Sequence, residues 1–195
     1  MIKESNTPEF WESIYTSKDQ YVYGKEPSKF LVEYVDLLKK GTALDLGMGE
    51  GRNAIYLASQ GFAVTGIDHS PTAVARAKKL AANSGVTLEC KEASLDFFLI
   101  PLMKYDTILL SDFHPQPVLM KNLVRGLTVG GTLMIEAYTK EHLKIKQDPP
   151  YIFDCFDSNE ALHLAQGLKI LQYSEREIYG EHRVQLIGVK TTMAS

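Results

Sequence analysis

Residues 45–51 read Asp45-Leu46-Gly47-Met48-Gly49-Glu50-Gly51, and the fold follows from what stands on either side of them. The apolar run 42–47 (TALDLG) reads as a short strand that opens into glycines. From Arg52 the spacing turns helical over 52–60, with Ile55, Leu57 and Ala58 among polar neighbours. A strand that ends in glycines and enters a helix brings its backbone close to a ligand and offers it unpaired N–H groups. Glycines also simply make turns, so spacing has to decide. A dinucleotide fingerprint, G-x-G-x-x-G, would place its third glycine at position 52, where this chain has Arg52. No G-x-x-x-x-G-K-[ST] run is present either, which disfavours a triphosphate cradle.

Outward from the loop, strand-like and helix-like segments alternate. Residues 62–67 read as a second strand, and Ser70-Pro71 as an N-cap followed by proline at the first helical position. That helix runs to about Asn83, with Val74, Ala77 and Ala81 on one face. Residues 86–90 are a third strand, and 105–111 (YDTILLS) a fourth, apolar enough for burial on both faces. A helix over 118–127, a turn at Gly130-Gly131 and a strand over 132–138 follow. After a polar loop carrying Asp148-Pro149-Pro150 come a helix over 158–166 and two β-rich segments, 169–174 and 183–191. The alternation predicts an α/β fold with a parallel sheet and helices on both faces. The stretch between the last two strands is too short for a helical crossover, so those two should pair antiparallel. Residues 1–40 carry Trp11, Tyr15, Tyr21, Tyr23 and Phe30, and read as a helical cap. With no repeat or linker, one domain over 1–195 is expected.

Bulk composition narrows the function. A net charge of -3 on 195 residues gives no basic footprint for a nucleic-acid backbone. Cys90 and Cys155 are too few for a disulfide framework and lack metal-ligand spacing. The polar start, residues 1–8, is not a signal peptide, and no apolar stretch is long enough to span a bilayer. The expectation is a cytoplasmic protein with neither nucleic acid nor membrane as partner.

Asp68 closes the second strand about twenty residues beyond the loop, where Rossmann-type sites hold ribose hydroxyls on an acid. The alternative role, capping the next helix, falls better to Ser70. An acid two residues before G-x-G-x-G is the form taken by loops that bind S-adenosylmethionine (SAM). The run from Tyr23-Gly24-Lys25-Glu26-Pro27 through LDLGMGEGRNAIYLASQGFAVTGIDHSP resembles the class I SAM-dependent methyltransferases, and more closely their small tellurite-resistance-like branch. The similarity extends to residues 136–143 (EAYTKEHL) and the late Asp-Pro-Pro loop.

The resemblance implies a Rossmann-like, doubly wound sheet of seven strands, mostly parallel with an antiparallel last strand. It implies that Gly47, Gly49 and Gly51 pack on the methionine portion of SAM, with Asp45 before them, and that Asp68 and His69 meet the ribose. Tyr23 and Gly24 read either as part of a cap near the methionine carboxylate or, with the other aromatics, as glue between a helix and the sheet; Arg52, at the loop exit, reads as a partner of that carboxylate or of a substrate anion, or as a solvated arginine. Family members commonly carry an aspartate at the adenine after strand three. Ser94 stands there, beside Leu95, and an uncharged hydroxyl implies a weaker hydrogen bond.

Ser111 ends the fourth strand, on the cofactor side, and His114 follows in Ser111-Asp112-Phe113-His114-Pro115. Strand C-termini are where open α/β sheets bind ligands, and an imidazole there can take a proton from an acceptor or orient one. The bland alternative is a helix-capping or surface histidine, and Asp112 shares that ambiguity. His182, which matches a histidine of the branch, reads as structural. The chemistry implied is methyl transfer to a small acceptor held in line, best a soft nucleophile such as a thiol or chalcogen species. Two rivals stand beside it: a SAM-binding or protein-interaction module without chemistry, and an NAD-dependent oxidoreductase, which Asp68 suits and the glycine spacing opposes.

Overall fold

Ala43, Leu44 and Leu46 are fully buried in β1 (Thr42–Leu46), as a strand covered on both faces requires. β1 pairs in parallel with β2 (Ala63–Asp68), and β2 in parallel with β3 (Glu89–Glu92). The crossovers are helical: α3 (Arg52–Ser59) joins the first pair and α4 (Pro71–Asn83) the second. Ser70 is the N-cap of α4, its Oγ accepting from Ala73 N at 3.0 Å, with Pro71 directly after it. Two helices precede β1, namely α1 (Pro8–Thr16), capped by Thr7, and α2 (Lys29–Tyr34), capped by Ser28. These elements form one compact unit, Met1–Leu99. The chain's structure, a computed structural model, describes residues 7–95, 98–145 and 155–192.

The second unit, Ile100–Ser195, starts with β4 (Tyr105–Ser111), parallel to β5 (Leu127–Tyr138) and joined to it through α5 (Pro117–Gly126). After the short α6 (His142–Ile145) and α7 (Glu160–Leu164), β6 (Leu168–Ile178) and β7 (Glu181–Lys190) form a hairpin, and β7 also runs antiparallel to β5. The seven strands follow the order β3-β2-β1-β4-β5-β7-β6, a mixed Rossmann-like sheet with an antiparallel last strand, as the sequence implied. Among the described residues, no helix is long and apolar enough to cross a membrane.

Where the structure departs from the sequence reading, a local cause is visible. β3 starts at Glu89 rather than 86, because Val86 and Leu88 pack on Ile55, Leu80 and Ala81, and Val86 N closes the end of α4 by donating to Ala81 O at 3.1 Å. Gly130-Gly131 is a bulge inside β5, not a turn before it: the pairing register slips between Tyr105 and Thr107, and Thr128 Oγ1 donates to Asp106 Oδ1 at 2.9 Å across the slip. α7 is shorter than 158–166 because Asn159 stands at φ 60°, outside helical space. The last two strands extend to a tight two-residue turn at Tyr179-Gly180, with φ of 54° and 80°. The Asp148-Pro149-Pro150 loop lies outside the described residues.

Candidate functional site

In the first unit the glycine loop is shaped by its own backbone and by Asp68. Gly47 N and Met48 N both donate to Ile67 O at 2.9 Å, which bends the chain off the end of β1 towards β2. Gly51 N then donates to Met48 O at 3.0 Å, and Gly51, at φ 88°, becomes the N-cap of α3. The Asp68 carboxylate spans the gap: Oδ2 accepts from Gly49 N at 2.8 Å and Oδ1 from Ser70 N at 2.9 Å. Asp68 therefore fixes the loop while Ser70 does the helix capping. Gly49 and Gly51 have no room for a side chain. A Cβ on Gly49 would stand 2.8 Å from the Tyr15 hydroxyl, and one on Gly51 would stand 2.9 Å from Ala77 Cβ.

Asp45 is the electrostatic centre of this loop. It is 1% exposed, and burial pushes its carboxyl up to about 7. Arg52 and a hydrogen bond from the Ala54 backbone pull the other way, while the charge of Asp68 adds to the rise. Burial likewise raises Asp68, against the hydrogen bonds from Ser70 and Gly49. Oδ2 of Asp45 has no hydrogen-bond partner. The Arg52 guanidinium lies 5.6 Å from the centroid of the Tyr23 ring, so those two expected site residues come together. His69 Nδ1 is 4.0 Å from Asp68 Oδ1. Ala93 N donates to Asp68 O at 3.0 Å, which sets the half-buried Ser94 and Leu95 beside the end of β2.

The N-terminal segment is tied to this loop by groups that sequence reading did not single out. Glu50, buried, accepts from Val22 N at 2.6 Å and from Arg76 Nη1 at 2.7 Å. Glu12 accepts from the Ser70 hydroxyl and from Thr72 Oγ1 at 2.5 Å, which docks α1 on the start of α4. Burial would raise the Glu12 carboxyl, and these hydrogen bonds outweigh it and leave it low. The aromatic residues of the cap therefore pack and line the loop at once. Tyr21 covers Ile55 and Leu80, whereas Tyr15 presents its hydroxyl to Gly49. Gly24 belongs to an open pocket with Asp19, Gln20, Tyr21 and Lys25.

In the second unit the end of β4 carries the expected residues. Ser111 closes the strand, and Asp112 turns at φ 54°, held by Asp112 N donating to Glu136 O at 2.8 Å. Asp112 Oδ1 meets Arg183 Nη1 at 2.7 Å, and the same guanidinium lies 4.0 Å from the Tyr138 ring centroid. Burial opposes the charge of Arg183, but Asp112, Tyr138 and Glu181 together hold its pKa above the ordinary value. His182 Nδ1 is 2.6 Å from Thr139 Oγ1, which joins β7 to the end of β5. His114 Nε2 stands 3.1 Å from Glu160 Oε1, off the line of a hydrogen bond, and its ring packs edge-on against the fully buried Phe156. Glu160 and Arg183 were not legible as site residues. The only sequence signal was an acid three residues after Asp157, a helix-start pattern.

Among the described residues, four buried side-chain atoms lack a hydrogen-bond partner: Asp45 Oδ2, His69 Nε2, Ser111 Oγ and His114 Nε2. All four are on residues that the sequence marks as site candidates. Buried polar groups are nearly always paired, so the atoms on Asp45, His69 and Ser111 point to an incoming ligand, whereas His114 Nε2 already faces Glu160 Oε1 out of line.

Comparison with known proteins agrees. Residues 43–131 match the family model described as "Methyltransferase domain". A 2-heptyl-1-hydroxyquinolin-4(1H)-one methyltransferase of Mycobacteroides abscessus is 31% identical over 118 residues, covering 57% of this chain and 52% of that protein. The chain thus spans about half, or less, of the length of the curated relatives it matches. TehB of Haemophilus influenzae superposes with a TM-score of 0.72 over 93% of this chain and 67% of its own, at 20% identity. A structure described as the conversion of a disulfide bond into a thioacetal group during echinomycin biosynthesis has a TM-score of 0.71 at 20% identity, covering 97% and 94% of the two chains. At these identities the two structures speak for the fold.

Proposed function

We propose that the chain is a class I methyltransferase that transfers a methyl group from SAM to a small-molecule acceptor, a reading supported by the match of residues 43–131 to a methyltransferase domain. The observation that carries this reading is Asp45 Oδ2, a buried and unpaired carboxylate oxygen beside a glycine loop too tight for side chains. SAM, when bound, supplies a cationic sulfonium methyl and a methionine ammonium. The residues present fit it. Asp45 is the acid for the ammonium, and Gly47, Gly49 and Gly51 admit the methionine portion. Tyr23, Gly24 and Arg52 take its carboxylate, Asp68 and His69 the ribose, and Ser94 with Leu95 the adenine. Asp68 keeps lone pairs beyond those used by Gly49 and Ser70, so it has capacity for a ribose hydroxyl. In this proposal both units serve one domain, 1–195, with residues 1–40 as its cap.

Ser111, at the end of β4, stays on the cofactor side in this reading, and His114, beyond it, is the contact that orients the acceptor or takes its proton. The first acceptor class is a thiol or chalcogen species, because a soft nucleophile needs chiefly positioning and desolvation. A second class, hydroxylated heteroaromatics, is favoured by the relative named for a hydroxyquinolone. The test is SAM binding by calorimetry, with conversion of SAM to S-adenosylhomocysteine across thiols, reduced selenium and tellurium species and N-hydroxyquinolones. Turnover on one class establishes the enzyme and its acceptor together. Binding without turnover on any of them favours the non-catalytic module, and NADH binding without SAM binding would overturn the reading.

A further inference from the structure

Resting on that reading, we propose that Glu160 is a positioning residue: it holds His114 with its proton on Nε2, so that Nδ1 is the base for an acceptor that arrives protonated. Three observations carry this. First, the two side chains meet across elements, His114 between β4 and α5 and Glu160 at the start of α7, with Nε2 and Oε1 3.1 Å apart. Second, Glu160 is itself held. Its Oε2 accepts from Asp157 N at 2.8 Å while Glu160 N donates to Asp157 O at 3.0 Å, so the carboxylate is clamped at the helix start and only Oε1 is left to face the ring. Third, the edge of Phe156 fixes the plane of the imidazole, its centroid 4.5 Å away.

A carboxylate only accepts, so the ring nitrogen beside it carries the proton and the far nitrogen has the lone pair. Among the described residues the ring makes no hydrogen bond through Nδ1, which leaves that nitrogen for the acceptor. The Nε2–Glu160 contact is off line as it stands. Contacts of this kind commonly tighten only when a ligand is bound. The step is a simple proton transfer: the bond between the acceptor's heteroatom and its hydrogen breaks, an N–H bond forms at Nδ1, and the proton leaves later to solvent. Nothing is oxidised or reduced. The acceptor class narrows accordingly, to one whose proton must be removed, such as an un-ionised thiol or a hydroxyl, rather than an acceptor that is already an anion.

Glu160→Gln is the informative variant. Its amide oxygen keeps the bond from Asp157 N, which turns the amide NH2 to His114, and a donor there forces Nε2 to accept and moves the proton to Nδ1. Imidazole nitrogen shifts measured by NMR above neutral pH report the tautomer directly, with or without SAM. The expected result is Nε2–H in the native protein and Nδ1–H in Glu160→Gln, with SAM affinity equal in the two. Turnover is then read with two probes, phenylmethanethiol, which is protonated at neutral pH, and 4-nitrothiophenol, which is ionised. Glu160→Gln should lower kcat on the first by about 100-fold, with little change in KM, and leave the second within about 2-fold. The same tautomer in both proteins, or equal losses on both thiols, would overturn the proposal. If the native protein binds no SAM, the functional reading fails while the tautomer comparison still decides the role of Glu160.

Discussion

Asp45→Asn separates what the loop acid does for binding from what it does to stability. In the unfolded chain this carboxyl titrates near the ordinary 3.8, and in the folded protein burial lifts it to about 7. Between those values the folded state holds a proton that the unfolded state has lost, so stability falls as pH rises through the window. The contribution is fully present below about pH 4 and gone above about pH 7. Three pH units at about 1.4 kcal/mol each amount to about 4 kcal/mol. Asparagine is a neutral near-isostere without this slope. Urea unfolding should therefore find the variant and the native protein nearly equal at about pH 3.5, and the variant more stable by about 3–4 kcal/mol at about pH 8. The same substitution removes the anion offered to the SAM ammonium, and affinity should fall by about 10- to 100-fold. A stability gap that does not change between those two pH values would refute the electrostatic account. A stabilised variant that binds SAM as tightly as the native protein would refute the role of Asp45 in binding.

Other substitutions test the surrounding framework. Gly51→Ala places a methyl at φ 88° and 2.9 Å from Ala77 Cβ; left-handed strain and overpacking together should cost about 2–4 kcal/mol in urea unfolding. Gly49→Ala should be partly rescued by Tyr15→Phe, since the tyrosine hydroxyl is the atom it meets at 2.8 Å. A double-mutant cycle measures that coupling, and strict additivity would count against the contact. Arg76→Met leaves the buried Glu50 carboxylate without its 2.7 Å partner; the expected loss is about 3–5 kcal/mol, with earlier proteolytic cleavage between residues 17 and 22. Tyr179→Asn places a residue that tolerates positive φ at the first turn position, where φ is 54°. It should raise Tm by about 2–4 °C, corresponding to about 1 kcal/mol.

The strands that carry the site were legible because each has a run whose burial leaves no choice of period. The apolar runs 42–47 and 105–111 read as strands; β4 appears at the expected bounds, and β1 ends one residue early, at Leu46, where the glycine loop begins. The start of α4 was legible from Ser70-Pro71 because that pair combines a side-chain acceptor with a fixed φ. What could not be read depends on partners distant in sequence. Val86 and Leu88 look like strand residues until Ile55 and Leu80 are there to receive them. Glu50 looks like a solvated acid until Arg76 and Val22 N reach it from elsewhere. Glu160 has a local reason to exist, its helix-start bond to Asp157 N, which hides its second contact with a histidine far back in the chain.

The unpaired atoms connect legibility to function. A chain selected for stability alone would neutralise Asp45, because a fully buried carboxyl lifted to about 7 works against folding at neutral pH. It would also pair Ser111 Oγ and His69 Nε2, neither of which lacks polar neighbours in sequence. The same loop shows that pairing is available: Asp68, one strand over, has both oxygens satisfied by backbone N–H groups. The contrast between two buried aspartates, one with both oxygens hydrogen-bonded and one with an oxygen left unpaired, is hard to ascribe to packing. It is what a site requires when one acid must hold the loop in place and the other must keep a lone pair for the ligand's positive charge. The residues whose types stood out in the sequence are thus the ones whose hydrogen bonding the fold leaves unfinished.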